Sequence, residues 1–178
     1  MKRTVLRYGL LSGLMISVLM DCSMLLAHRI GPGYSMLIGY TIMVASFLLV
    51  YFGVRSYRDT VLDGGISFGQ AFWCGFLIMG ITTLCYVATW EVLYFGFMPH
   101  FMDGYFAAQI RHVQASGLDA AAAAKQVAAI RRSQELYQNP LVNMAYTVVE
   151  PLPVGVAFTL LSALVLRRKG KSAETAQA

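Results

Sequence analysis

Three carboxylates lie inside otherwise apolar stretches of this chain: Asp21, Glu91 and Glu150. An ionised carboxylate in hydrocarbon is costly and has to face protein, water or a counter-charge. Glu150 is followed by Pro151 and Pro153. Neither proline has a backbone N–H, so carbonyls about one turn earlier lose their helical donors and the helix should bend there. Acids beside freed carbonyls have the chemistry of a proton or cation site. They have equally the chemistry of a polar contact that fixes how helices pack, or of groups wet by the headgroup region. His28, Arg29 and His100 lie near the ends of the same stretches as outer-edge partners.

The elements that must position these acids follow from composition. Of 178 residues, 57% are hydrophobic and 13% charged, where a soluble domain would carry roughly a quarter charged. The bilayer is therefore the expected solvent. A helical span needs about 20 mainly apolar residues, and four stretches qualify, at about 5–26, 34–54, 68–98 and 141–166. None alternates strictly enough for a barrel strand. The expected fold is all-α: one integral membrane four-helix bundle over residues 1–171, with a tail at 172–178. At a rise of about 1.5 Å per residue, Asp21 and Glu150 each stand roughly 24 Å above the inner ends of their spans, and Glu91 roughly 34 Å up a longer, tilted helix. Three helices thus offer one acid each at comparable depth.

Between the third and fourth spans, residues 100–138 read as an extracytoplasmic helical hairpin. Met102, Phe106, Ile110 and Val113 mark one apolar stripe; Ser116-Gly117 ends that helix and Asp119 caps the next. In the loop before the third span, Asp63-Gly64-Gly65 signals a turn, and Ser67 with Gln70 has capping-box spacing. Phosphate binding by Gly64, Gly65 and Ser67 is the functional alternative, without the Lys-Ser/Thr that a P-loop requires. Gly9 and Gly13 form a GxxxG on the face that carries Ser17 and Asp21, which permits close approach of another helix. Trp90, Tyr94, Phe95 and Phe97 read as an interfacial aromatic belt, and Gly69, Gly75 and Gly80 as points of close packing.

Several function classes are disfavoured. The cysteines, Cys22, Cys74 and Cys85, all lie in apolar spans without a CxxC, so neither a disulfide frame nor a zinc site is expected. His28, His100 and His112 show no HExxH spacing, and no organised Ser/His/Asp set is apparent. No metal or other cofactor is expected, and no catalytic residue. The net charge of +5 does not indicate nucleic acid, because Lys2, Arg3, Arg7, Arg55, Arg58, Arg167, Arg168, Lys169 and Lys171 all flank span ends on one side of a four-crossing topology. The positive-inside rule puts that side, with both termini, in the cytoplasm, where the cations face anionic lipid.

The order of motifs RYGLLSGL, VRSYRDTVLDGGISFGQAFWCG, TW, NPL, EPLPVG and LLSALVLRRK resembles the bacterial family called domain of unknown function forty-one ninety-nine. Matching positions are Gly64, Gly65, Ser67, Phe68, Trp90, Asn139, Pro140, Glu150, Pro153 and Gly155. The resemblance implies a four-helix, multi-pass protein of the bacterial inner membrane and supplies no activity. Taken with the residues, it leads to an accessory or assembly subunit that binds lipid, a second copy or a partner helix, with Gly9 and Gly13 as the contact face. The alternative is a small transporter or proton/cation-binding protein that uses Asp21, Glu91 and Glu150. Inverted repeats, the usual mark of a transporter, are not visible. An intramembrane enzyme ranks third.

Overall fold

The computed structural model describes the backbone of residues 1–26 and 32–168 and the side chains of 1–25 and 37–168. In chain order it contains α1 (Lys2–Leu26), α2 (Pro32–Val61) and α3 (Phe68–Val92), which passes into a π-helical turn (Leu93–Phe97). Then follow α4 (Asp103–Ala115), α5 (Ala120–Tyr137), α6 (Pro140–Val149) and α7 (Leu152–Leu166). Among the described residues there is no strand, only an isolated antiparallel bridge between Ile66 and Arg168. Among the described residues, four stretches are long and apolar enough to cross a membrane: Lys2–Leu25, Leu37–Val61, Phe68–Phe97 and Pro140–Leu166. The fold is thus all-α and of membrane type.

The second helix runs further than the apolar pattern indicated. Arg55, Arg58 and Asp59 continue it to Val61. Arg55 Nε lies 3.6 Å from Asp59 Oδ2 one turn on, and Arg58 Nε 2.6 Å from Asp59 Oδ1. Charges that leave an apolar span need not leave the helix when they can pair along it. The chain then turns through Asp63 and Gly64, both at positive φ, with the Gly64 N–H donating to Arg58 O at 3.0 Å. The following α3 is capped reciprocally: Ser67 N–H donates to Gln70 Oε1 (3.1 Å) and Gln70 N–H to Ser67 Oγ (3.3 Å).

Two compact units emerge. The first takes Met1–Tyr86 and the chain from Val149 on; the second is Val87–Val148. In the first, α3 touches every other helix, and glycines mark the crossings. A Cβ on Gly9 would come within 2.8 Å of Ile81 Cβ, and one on Gly13 within 2.5 Å of Cys85 Sγ, so α1 lies directly on α3. Gly53 of α2 faces Ile78 and Tyr8. Gly75 faces Thr159, Val50 and Val54, and Gly155 faces Met79 and Phe47. Of the third-span glycines, Gly75 alone fills the expected role; Gly69 and Gly80 face open space, as does Gly39. The spacing 75, 79 on α3 against 159, 155 on α7 is the register of an antiparallel pair.

The interior of this unit admits small polar side chains among its apolar ones, and the exterior carries many large apolar side chains. Ser12, Ser46, Thr82, Thr83, Thr159 and Ser162 are buried, while Leu14, Leu25, Leu84, Leu161 and Val165 are exposed. Ser12 Oγ donates to Ser46 O at 2.8 Å, and Thr82 and Ser162 donate back to carbonyls four residues earlier. A soluble bundle reverses this arrangement, because water rewards apolar burial. Helices in lipid gain little from apolar contact with one another and associate through small residues and interhelical hydrogen bonds.

The second unit holds the end of α3, the π-helical turn, α4, α5 and α6, with α4 packed against α5. Asp119 caps α5, its Oδ1 accepting from the N–H groups of Ala121 and Ala122. Phe106 of the α4 stripe is buried; α5 buries no residue. Trp90 and Tyr94, which the sequence placed in an interfacial belt, form the core of this unit instead. They are 8% and 1% exposed and stack with centroids 5.7 Å apart. Only Phe95 and Phe97 remain outward.

Candidate functional site

The fourth apolar stretch is two helices rather than one bent span. α6 ends at Val149, Glu150 and Pro151 form a turn, and α7 begins at Leu152. Pro151 is the N-cap of α7 and Pro153 sits in its first turn, where a missing N–H breaks no hydrogen bond. The break therefore falls at Glu150-Pro151, and Pro153 helps start the second helix rather than interrupt the first. Pro151 O takes the N–H of Gly155 at 2.9 Å, while the carbonyl of Thr147 loses the donor that residue 151 would supply in an unbroken helix.

Glu150 is exposed. It sits in the turn between α6 and α7 rather than within a helix. Its Oε2 nonetheless accepts a hydrogen bond from the buried Tyr86 hydroxyl at 2.9 Å. The α3–α7 pair is thus held at one end by the Ile66–Arg168 bridge (2.9 and 3.0 Å) and near the other by Tyr86–Glu150. From Met79 to Tyr86 α3 climbs seven residues, while the antiparallel chain climbs five from Gly155 back to Glu150. The two-residue difference is taken up at the turn.

The remaining acids behave otherwise. Asp21 and Glu91 are half-buried, and Asp21 Oδ1 and Glu91 Oε1 are buried atoms without a hydrogen-bond partner among the described residues. Asp21 and Glu150 belong to the first unit, Glu91 to the second. Of the outer-edge partners, His28 and Arg29 lie outside the described residues. His100 is engaged with Asp103, Nδ1 to Oδ2 at 2.9 Å, while Asp103 Oδ1 takes a hydrogen bond from Gln134 Nε2 at 3.1 Å. Neither unit brings three or more His, Cys, Asp or Glu side chains together as a metal-binding group among the described residues. No disulfide joins the cysteines among the described residues; Cys74 is buried and Cys22 exposed.

Sequence reasoning passed over the most connected polar group, Asn143. It is fully buried. Its Oδ1 accepts from Trp90 Nε1 at 2.9 Å and from Thr147 Oγ1 at 3.2 Å, and its Nδ2 donates to Tyr137 O at 3.2 Å. Beside it, Gln138 Nε2 donates to the Tyr94 hydroxyl at 3.0 Å. The available signal was Trp90 itself, because a buried indole N–H requires an acceptor. Asn143 with Thr147, one turn apart in an apolar run, was the natural source. These hydrogen bonds tie α3, the end of α5 and α6 together within the second unit.

Neither the curated proteins nor the solved structures contain a match to this chain. A family model described as Protein of unknown function (DUF4199) matches residues 7–168, nearly the full length and including the Gly64–Ser67 turn, Trp90, Asn143 and the Glu150-Pro151 break, and the chain belongs to that family.

Proposed function

We propose that this chain crosses the bacterial inner membrane four times, with both termini cytoplasmic, and acts as an accessory or assembly subunit. It docks a membrane helix of a partner at Glu150. Arg58 donates to Leu166 O at 3.5 Å and Ile66 pairs with Arg168. The basic ends of α2 and α7 and the start of α3 therefore gather at one end of the first unit, which supports the positive-inside assignment. Counted from that end, Glu150 stands roughly 24 Å up and Tyr86 roughly 27 Å. That is still within a hydrocarbon core about 30 Å thick.

The observation that carries the reading is the exposure of Glu150 at this height. An outward carboxylate in hydrocarbon is costly unless something polar covers it. Tyr86 supplies one donor and fixes the group, leaving oxygen lone pairs for a cationic or hydroxyl side chain of a second protein. Gly9 and Gly13 pack against α3 within the chain, which favours Glu150 as the docking point.

The test is co-purification in mild detergent. A stoichiometric membrane partner is expected with the native chain and with Glu150→Asp. Glu150→Gln should reduce its recovery by about tenfold, the equilibrium equivalent of one charge-assisted hydrogen bond. Equal recovery with Glu150→Gln would remove the basis for the docking site.

A second reading, proton or cation binding, is favoured by the unpartnered oxygens of Asp21 and Glu91. Leaving a buried acceptor unsatisfied costs about 1–3 kcal/mol; holding a proton or cation there offsets that cost. On this reading Asp21→Asn and Glu91→Gln abolish pH-dependent uptake in proteoliposomes while raising the unfolding midpoint in detergent. Unchanged uptake in both variants rules it out.

A further inference from the structure

At the end of the α3–α7 pair opposite Glu150 lies a cleft of about 640 Å³ whose lining includes Gly65, Ser67, Gln70, Arg167 and Arg168. We propose that this cleft holds the phosphate of an anionic lipid headgroup, with the acyl chains lying up the outer face of α3. The proposal stands apart from the partner-docking reading, which uses the other end of the unit.

Charge is the first reason. Arg55 and Arg58 are both engaged by Asp59. The exposed side chains of Arg167 and Arg168 form no ion pair among the described residues, and none of the cleft's lining residues is acidic. Two uncompensated guanidinium groups at one cleft match the oxygen geometry of a phosphodiester, which arginine binds through two parallel N–H donors. The start of α3 opens on the same cleft and adds the positive end of a 25-residue helix.

Rigidity is the second. Both walls are fixed by backbone. Ile66 and Arg168 exchange two hydrogen bonds, of 2.9 and 3.0 Å, and the Ser67–Gln70 cap holds the first turn of α3. The arginine side chains are free to reach an anion while their backbone stays in place, so little ordering is left for binding to impose.

The third reason identifies the ligand as a lipid rather than a free phosphate. Phe68 lines the cleft, and from it an aromatic stripe climbs α3 at helical spacing. Phe68 and Phe72 stack at 6.2 Å, Phe72 and Phe76 at 6.0 Å, and Trp73 packs edge-on against Phe76 at 5.6 Å. Phe68, Trp73 and Phe76 are exposed. A phosphate in the cleft thus sits at the foot of an apolar strip aligned with the helix axis, which is the layout of a headgroup and its chains. Diffuse attraction of basic residues to an anionic surface requires neither the fixed walls nor the stripe.

The experiment uses the full chain in detergent, with native mass spectrometry to count retained lipid and thermal unfolding to read stabilisation. The probes are phosphatidylglycerol, phosphatidylcholine and inorganic phosphate. Phosphatidylglycerol is expected to bind and raise the midpoint, and the other two are not. Arg167→Gln and Arg168→Gln should each weaken phosphatidylglycerol binding about tenfold. Gln70→Glu provides a variant that keeps its fold, because glutamate preserves the cap while placing a negative charge in the cleft; it too should weaken binding. Stabilisation by inorganic phosphate equal to that by phosphatidylglycerol would overturn the lipid assignment. Phosphatidylglycerol binding unaffected by Gln70→Glu and by either arginine variant that folds would overturn the site.

Discussion

Asn143→Ala is expected to lower the stability of the chain by about 3 kcal/mol, read as a fall in the unfolding midpoint in detergent. The variant loses the bonds from Asn143 to Trp90, Tyr137 and Thr147. More important, it leaves the Trp90 indole N–H buried with no acceptor. An unsatisfied buried donor costs more than the bond was worth, since the group was desolvated for a partner it no longer has. Trp90→Phe removes donor and bond together, and Asn143 Oδ1 keeps Thr147, so that variant should cost less. The double variant should fall short of the sum of the two by about 1 kcal/mol, the coupling expected of residues in one network. Strict additivity would mean that Trp90 and Asn143 do not meet.

The second large effect lies at Gly13 and has a sign that decides between two accounts. In a helix that touches nothing, Gly→Ala stabilises by roughly 0.5–1 kcal/mol, because glycine loses more backbone freedom on folding. Gly69, Gly80 and Gly39 face open space, and alanine there should follow that rule. At Gly13 the new Cβ would stand 2.5 Å from Cys85 Sγ and 2.8 Å from Cys85 Cβ. The second of these atoms cannot move without its backbone. Gly13→Ala should therefore destabilise by about 1–3 kcal/mol, the cost of overpacking a close contact. Adding Cys85→Gly should recover part of the loss. A stabilising Gly13→Ala would mean that α1 does not lie on α3 as described.

These two residues also show what the sequence could and could not disclose. Gly9 and Gly13 announce that something comes close, because four-residue spacing puts them on one face. Nothing in the spacing says whether the neighbour is another protein or α3, since both present the same small-residue signature. Asn143 escaped notice for the opposite reason. A lone amide in an apolar run carries no motif, and its meaning depends on Trp90, which lies 53 residues earlier in the chain. Trp90 and Tyr94 were misplaced because interfacial and buried aromatics are the same residue types. Only the presence of an acceptor separates them.

The local signals served better. The Ser67–Gln70 and Asp119 caps, the Gly64 turn and the proline break were all legible, since each depends on residues a few positions apart. Helix α2 overran its apolar limit because hydropathy reports where lipid ends, whereas Arg55–Asp59 pairing decides where the helix ends. The prolines predict a bend but not the helical phase at which Glu150 leaves it. The turn at Glu150-Pro151 resets that phase, and depth along a span does not reveal direction around it.

The account rests on Glu150 presenting its carboxylate outward, within the membrane, to a second protein. A photo-crosslinking side chain at Val149, which is 62% exposed and adjacent to Glu150, tests this in intact membranes. The expected result is one discrete crosslinked polypeptide that disappears when Glu150→Gln is added and persists with Glu150→Asp. Crosslinks to lipid alone, or a polypeptide band unchanged by Glu150→Gln, would contradict it.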